Sequence, residues 1–429
     1  MDSVMNFLMG ILMWFYGLDH TVFVTMVIFI LALCFRVKFG TALKGALLFG
    51  AGLAGIFAIN NLLTATLSPL VTGLSLAGFA NDTLDGGMSA TFGAITSLPF
   101  FVLIYPVGLL TNLLLLKVKW TKTMIVDFLN YFAFLIPALP VYFLTKSVVA
   151  TYAVVVVCVA LTLKVADWTA PMVQEYYGVE DISVSHSNYG FQAIYVIPLN
   201  WLLDKIPGLN KIDFNMDDVK KKLGIFGEPS VIGLILGTIL GLIAGLGVAG
   251  SLAIGMTLVA AMLLFSKVVS LMIEGLQPIS KGMKEFMAKK SGRTDLYMGM
   301  DAAIFYGDPS VLTVSTIMMP IFILLHFILP GVRVIPGAET LVSYAMACTM
   351  ILPFAGSKGK KGNIFRSILI ATIQAAIGLY ALTYVAPLVT EIFKSTGVAF
   401  PGDSVTAFAF REPQTVITYF ISKLCGLTF

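Results

Sequence analysis

Apolar runs about as long as a bilayer is thick constrain this chain more than any other feature. A helix needs about 20 predominantly apolar residues to cross the hydrocarbon. The sequence offers such runs from Thr21 to Phe35, Ala42 to Leu67, Ile95 to Leu116, Met124 to Leu144, Val148 to Leu163, Ser230 to Leu246, Leu252 to Val269, Val311 to Leu329, Thr340 to Phe354 and Ile368 to Val389. The shorter ones must tilt, re-enter or lean on neighbours. A soluble domain carries about 25% charged residues; this 429-residue chain has 12%, with 58% hydrophobic. The expected fold is an all-α polytopic membrane protein with about 10–12 transmembrane helices, re-entrant or broken segments and amphipathic interfacial helices. No Ser-rich, Pro-rich or low-complexity linker divides it, so residues 1–429 read as a single unit.

The net charge of +4 is small, and its placement says more. Arg36, Lys38 and Lys44, then Lys117, Lys119 and Lys122, then Lys220 to Lys222, then Lys289, Lys290 and Arg293, then Lys358, Lys360, Lys361 and Arg366 cluster between apolar runs. The positive-inside rule makes these cytoplasmic loops, and they require no nucleic acid. The longest, Asp204 to Gly224, carries Asn215 as an N-cap, Asp217 and Asp218 in a first turn and Lys220 to Lys222 in a last one, which predicts a short cytoplasmic helix. Met5, Leu8, Met9, Leu12 and Tyr16 share a helix face and predict an interfacial helix before the first span. No basic n-region or Ala-x-Ala site marks a removable signal peptide.

Four segments are apolar enough for the membrane yet broken by Gly, Pro and polar residues: Leu76 to Phe92, Ile182 to Leu203, Met298 to Val311 and Asp403 to Phe420. Irregular backbone survives in lipid only where protein buries it or where it lines a wet cavity. Paired segments of this kind point to a transporter's binding site. Amphipathic stretches at Asp167 to Tyr177 and Ile273 to Lys290 each follow two spans and precede a broken segment, an order that hints at internal duplication. Gly233, Gly237, Gly241 and Gly245 recur every four residues and predict close helix packing, either within the chain or across a dimer.

Ionisable and amide side chains inside membrane segments are expensive, so each is a candidate site residue. They are Asn60 and Asn61 with Asn81, Asp82 and Asp85; Asp167 with Ser185, His186, Ser187 and Asn188; Glu228 before Pro229; and Glu274 and Gln277 with Asp301 and Asp308. Helix capping or structural pairing accounts for some of them equally well. As a set they suit a polyol or sugar, because every hydroxyl taken from water needs a replacement donor or acceptor. His186, in a Ser-His-Ser-Asn run, is placed to bind a hydroxyl or accept its proton.

No P-loop, HExxH, GxSxG or zinc-ligand spacing occurs, and Cys34, Cys158, Cys348 and Cys425 read as small apolar residues. No cofactor, metal or catalytic residue is expected. Energy for uphill transport must then come from a gradient or from another protein. The first alternative is an H⁺- or Na⁺-coupled secondary transporter in which Asp301, Glu228 or Glu274 binds the ion. A non-transporting receptor or assembly protein fits the intramembrane polar content poorly.

The residues Lys164 to Trp168, Ser185-His186, Asp204 to Asp213 running through Asp217-Asp218 to Phe226 and Pro229, Gly299 to Asp301 with Gly307, and Gly362 to Arg366, in that order and spacing, resemble the galactitol-type enzyme IIC component of bacterial phosphotransferase systems, within the ascorbate/galactitol superfamily. The resemblance implies a multi-pass homodimer in the bacterial inner membrane, among its lipids, with core and scaffold domains that move like an elevator. It also implies a IIB phosphocysteine partner charged through IIA, HPr and enzyme I, with phosphoenolpyruvate as the source. Carried over by position, His186 and Asp301 are the leading substrate contacts, with Glu228, Glu274 and Gln277 next; as intramembrane polar residues in their own right, Asn61, Ser185, Asn188 and Asp85 join the candidates, although the segment Asn81 to Phe92 departs from the family pattern. The alternative substrates are L-ascorbate and a pentitol. The broken segments offer few basic side chains for an anion, which favours a neutral polyol such as galactitol.

Overall fold

The computed structural model describes residue 10 and residues 17–76, 83–126, 129–356, 361–400 and 402–427. The expected N-terminal interfacial helix, Asn81 and Asp82, and the tip of the loop after Gly356 lie outside the described residues. The first described elements are α1 (His20–Cys34), α2 (Phe39–Leu76), β1 (Thr83–Asp85), α3 (Gly87–Thr96), α4 (Ile104–Lys117), β2 (Thr123–Ile125), α5 (Leu129–Ala133) and α6 (Leu139–Thr145). Next come α7 (Val148–Tyr177), β3 (Ile182–Val184) and α8 (Ala193–Lys205), and α9 (Met216–Leu223) leads into the second half. There the order recurs as α10 (Pro229–Ile243), α11 (Gly247–Ser291), β4 (Tyr297–Met300), α12 (Pro309–Ile328), β5 (Val334–Ile335), α13 (Ala338–Thr349), α14 (Ile364–Thr396), β6 (Ser404–Thr406) and α15 (Pro413–Leu424).

Among the described residues, α2, α7, α11, α12 and α14 are long and apolar enough to cross a membrane. Two bent pairs, Gly87–Thr96 with Phe101–Lys117 at 98° and Met216–Gly227 with Pro229–Ile243 at 57°, raise the number to seven if each is one span. Of the remaining apolar runs, Thr21 to Phe35 forms the 15-residue α1, shorter than a full span, and the other two fold differently. Met124 to Leu144 becomes β2 followed by short helical turns, and Thr340 to Phe354 mostly becomes the 12-residue α13. The amphipathic stretches ending at Tyr177 and Lys290 are continuations of α7 and α11, not separate interfacial helices.

The six strands show how the halves interlock. One sheet has the order β5-β1-β6 and the other β2-β4-β3, with every pairing parallel. Each central strand comes from one half of the chain and both flanking strands from the other. The corresponding strands lie roughly 210–220 residues apart, which makes the duplication hinted at in the sequence visible as an exchange of strands. The physical need is plain, since extended backbone between membrane helices has little water to bond and each strand bonds its neighbours instead. Registers such as Thr83 opposite Val334 and Ser404, and Met298 opposite Met124 and Ile182, hold the chain where it turns into α3 or toward α12.

Helices α2 and α11 run along each other, and α10 packs on α11. A Cβ at Gly45 on α2 would stand 2.6 Å from the carbonyl oxygen of Gly275 on α11, and one at Gly237 on α10 would stand 2.8 Å from Gly255 Cα. These approaches admit only glycine. Gly233, Gly237 and Gly241 therefore pack within the chain, against Met262, Gly255 and Ser251, whereas Gly245 has φ +75° and turns the chain toward α11. Helix α9 carries a capping box in which Asn215 and Asp218 satisfy each other's backbone N–H groups.

Candidate functional site

After β3 the backbone stays tied to β4, since Ser185 N–H donates to the Met300 carbonyl at 3.1 Å. Ser185 Oγ accepts from Asn130 Nδ2 at 2.9 Å, and Ser187 Oγ donates to the Ala133 carbonyl at 2.8 Å. His186 is thereby fixed between two anchored serines, 7% exposed. The chain then folds back, with Gly190 N–H donating to the His186 carbonyl at 2.9 Å. A Cβ at Gly190 would stand 2.5 Å from the Val184 carbonyl oxygen, so the return is open only to glycine.

The Asn188 N–H donates to His186 Nδ1 at 3.1 Å. An accepting Nδ1 assigns the proton of the neutral ring to Nε2. Nε2 faces Asp301 Oδ2 at 3.6 Å, while Asp301 Oδ1 caps the following turn by accepting from Ala303 N–H at 2.9 Å. A separation of 3.6 Å exceeds a direct hydrogen bond. It presents an N–H donor and a carboxylate acceptor side by side, the pairing that one hydroxyl satisfies by accepting from the first and donating to the second. The Tyr189 ring lies 4.8 Å from the His186 ring.

Asp85 ends β1, the central strand of the other sheet, as Asp301 follows β4. The two carboxylates differ in what they still have to offer. Asp85 Oδ1 accepts from Gly87 N–H at 3.0 Å and Phe408 N–H at 3.2 Å, and Oδ2 accepts from Thr340 Oγ1 at 2.5 Å. Its neighbour Glu339 takes the N–H and hydroxyl of Ser89. Asp85 thus staples its sheet together, and Asp301 keeps an oxygen turned to His186. The two strand clusters touch where Asn188 Nδ2, in the segment after β3, donates to the carbonyl of Ala409, in the segment after β6, at 3.3 Å.

The structure brings His186, Asp301, Ser185 and Asn188 together, with Asp85 across the junction. Glu228 stands apart at the head of α10, paired with Lys220 at 3.0 Å. Glu274 is exposed on α11, 3.8 Å from Lys44. With Gln277 it lines a separate cavity of about 440 Å³ that also includes Ser266, Ser270 and Asp308. Asn61 lies on the exposed face of α2. Among the described residues none of these four shares a hydrogen bond or ion pair with His186 or Asp301, although the cavity at Glu274 and Gln277 is also lined by Ile304 and Phe305, which follow Asp301.

Sequence reasoning passed over Arg411 and Glu412, although both lie in the fourth broken segment. They are 6% and 2% exposed, and Arg411 Nη2 stands 3.1 Å from Glu412 Oε1. A doublet of opposite charges before Pro413 in an apolar run was the available signal. Gln192 and Gln374 were also missed; Gln374 Nε2 donates to Tyr195 OH at 2.8 Å and to Gln192 Oε1. Among the described residues no three His, Cys, Asp or Glu side chains are grouped to hold a metal ion. Cys158 and Cys348 are buried, Cys34 and Cys425 exposed, and all four are free thiols.

Spanning helices around two interlocked strand clusters, with a buried donor-acceptor pair where the broken segments meet, define an integral membrane permease for a polar solute. The chain belongs to the EIIC-GAT family, the sugar-specific permease components of the phosphotransferase system, whose family model matches residues 15–403. It is 31% identical over 413 residues to a putative permease IIC component of Escherichia coli K12, covering 96% of this chain and 93% of that protein. It is 26% identical over 399 residues to the galactitol-specific EIIC component of the phosphotransferase system in the same strain, covering 92% of this chain and 87% of the relative. The galactitol-specific component of Escherichia coli O157:H7 matches to the same extent.

Proposed function

We propose that this chain is the IIC subunit that binds galactitol, or a close neutral polyol, and carries it across the bacterial inner membrane for phosphorylation by a separate IIB protein. The observation that carries the reading is the His186 Nε2 to Asp301 Oδ2 pair, spaced at 3.6 Å to receive one hydroxyl. The galactitol-specific relatives make galactitol the first substrate to test. In the transfer, the S–P bond of a IIB phosphocysteine breaks and an O–P bond to a polyol hydroxyl forms. The hydroxyl proton passes to Asp301, because His186 Nε2 already carries one. The work of this chain is positioning.

The proposed moving body contains the two strand clusters and their helices; α1, α2, α10 and α11 form the scaffold, which also provides the homodimer contact. The basic loops, with the 204–224 segment and α9 among them, face the cytoplasm and receive IIB, which IIA recharges. Membranes containing this chain, given radiolabelled galactitol, phosphoenolpyruvate and the soluble phosphotransferase proteins, are expected to yield galactitol phosphate only when both additions are present. Accumulation of free galactitol that an uncoupler abolishes would replace this reading with a gradient-driven transporter. Absence of any galactitol signal would remove galactitol as the substrate.

A further inference from the structure

Glu412 is a carboxylate at 2% exposure, and neither of its oxygens has a hydrogen-bond donor among the described residues. Among the described residues its only close charge is Arg411, whose Nη2 approaches to 3.1 Å without the geometry of a hydrogen bond and has no hydrogen-bond partner there either. The guanidinium is held from other directions: it lies 3.5 Å from the Phe408 ring centre and 6.0 Å from that of Tyr344. A Cβ at Gly378 would stand 3.0 Å from Arg411 Cδ, so α14 closes the remaining side. A buried ion pair with so few hydrogen bonds is a poor device for stability, because desolvation offsets its Coulomb attraction. Groups left in that state are suited to something that brings its own donors.

The pair also belongs to the junction already described. Ala409, two residues before Arg411, accepts from Asn188, and Tyr189 is within electrostatic reach of Asp301, Arg411 and Glu412 together. Tyr195, which accepts from Gln374, is within electrostatic reach of Arg411 and Glu412 as well. Gln192 Nε2 and Gln374 Oε1 have no hydrogen-bond partner among the described residues. His186 from the first half and Asp301 from the second thus form a donor-acceptor pair, and Arg411 and Glu412, also from the second half, add an ion pair with unused acceptors.

We infer that Arg411 and Glu412 form the second end of the polyol site, and that Glu412, by neutralising Arg411, sets the preference for an uncharged polyol over its carboxylate analogue. The inference rests on the galactitol reading above. Polyol hydroxyls donate to the free Glu412 oxygens. A sugar acid instead brings a second carboxylate against Glu412 where charges are weakly screened, and it is rejected. With Glu412 neutral, the guanidinium becomes an unpaired, planar donor to carboxylates.

The test is equilibrium binding of radiolabelled galactitol and galactonate to the purified full chain in lipid nanodiscs. The wild type is expected to prefer galactitol. Glu412→Gln is expected to weaken galactitol binding at least tenfold and to lower the galactitol-to-galactonate affinity ratio at least a hundredfold. Should the single variant fail to fold, Arg411→Gln/Glu412→Gln, which leaves no unpaired charge, is expected to weaken galactitol binding at least tenfold and to lower the ratio at least tenfold. A folded variant with the wild-type ratio overturns the inference and leaves the galactitol reading standing. A wild-type protein that binds no galactitol overturns that reading, and the inference with it.

Discussion

Asp85 and Asp301 occupy matching places in two matching sheets, and their hydrogen bonds separate a carboxylate with both oxygens taken by protein donors from one that keeps an oxygen turned to His186. All three donors to Asp85 are protein groups, and hydrogen bonds to charged groups contribute about 1.5–3 kcal/mol each. Asp85→Asn keeps one acceptor oxygen, so we expect a loss of about 1–2 kcal/mol, seen as a lower thermal midpoint in detergent, with galactitol affinity nearly unchanged. A large loss of affinity at an unchanged midpoint would place Asp85 in the binding site. The sequence alone ranked these two aspartates by resemblance, since nothing in Thr-Leu-Asp or Gly-Met-Asp reveals which oxygens are already taken. Ser185, His186 and Asn188 were legible because a Ser-His-Ser-Asn run is costly to hold at membrane depth unless it binds something polar. Arg411 was not, because its neutralising partner sits beside it and the local charge sums to zero.

At the scale of elements, the spans and the α9 helix follow from composition and capping residues, which act locally. Strands of two to four residues give no period-2 signal long enough to read, and their pairing depends on segments roughly 115 to 320 residues away. The glycine repeat on α10 shows the same division. Its spacing predicts a close contact, and only the fold selects α11 as the neighbour. Because a Cβ at Gly237 would meet Gly255 backbone at 2.8 Å, neither helix can yield by rotating a side chain. Gly237→Leu is expected to cost about 1–3 kcal/mol or more through overpacking, measured as a lowered thermal midpoint. The solvent- or lipid-facing Ile239→Leu is the matched control, and equal midpoints for the two variants would refute the contact.

At the scale of the whole molecule, the proposed motion requires α11 to slide past the segment between β4 and α12. A Cβ at Gly307 would stand 2.9 Å from Ser266 Cα and 3.3 Å from Val269 Cβ, an approach that the α11 backbone leaves open only to glycine. Gly307→Leu, which forces this segment off α11, is expected to lower phosphoenolpyruvate-dependent galactitol uptake by about tenfold or more. Uptake at the wild-type level would rule out a close sliding contact at this boundary. The central claim is that the polyol sits at the junction of the two strand clusters, and not at the cavity beside Glu274 or at the head of α10. Its most direct test is equilibrium binding of radiolabelled galactitol to purified wild type, Asp301→Asn, Glu274→Gln and Glu228→Gln. We predict that Asp301→Asn alone weakens binding by about tenfold or more, equivalent to at least 1.4 kcal/mol. Wild-type affinity in Asp301→Asn, with loss in Glu274→Gln or Glu228→Gln, would contradict the account.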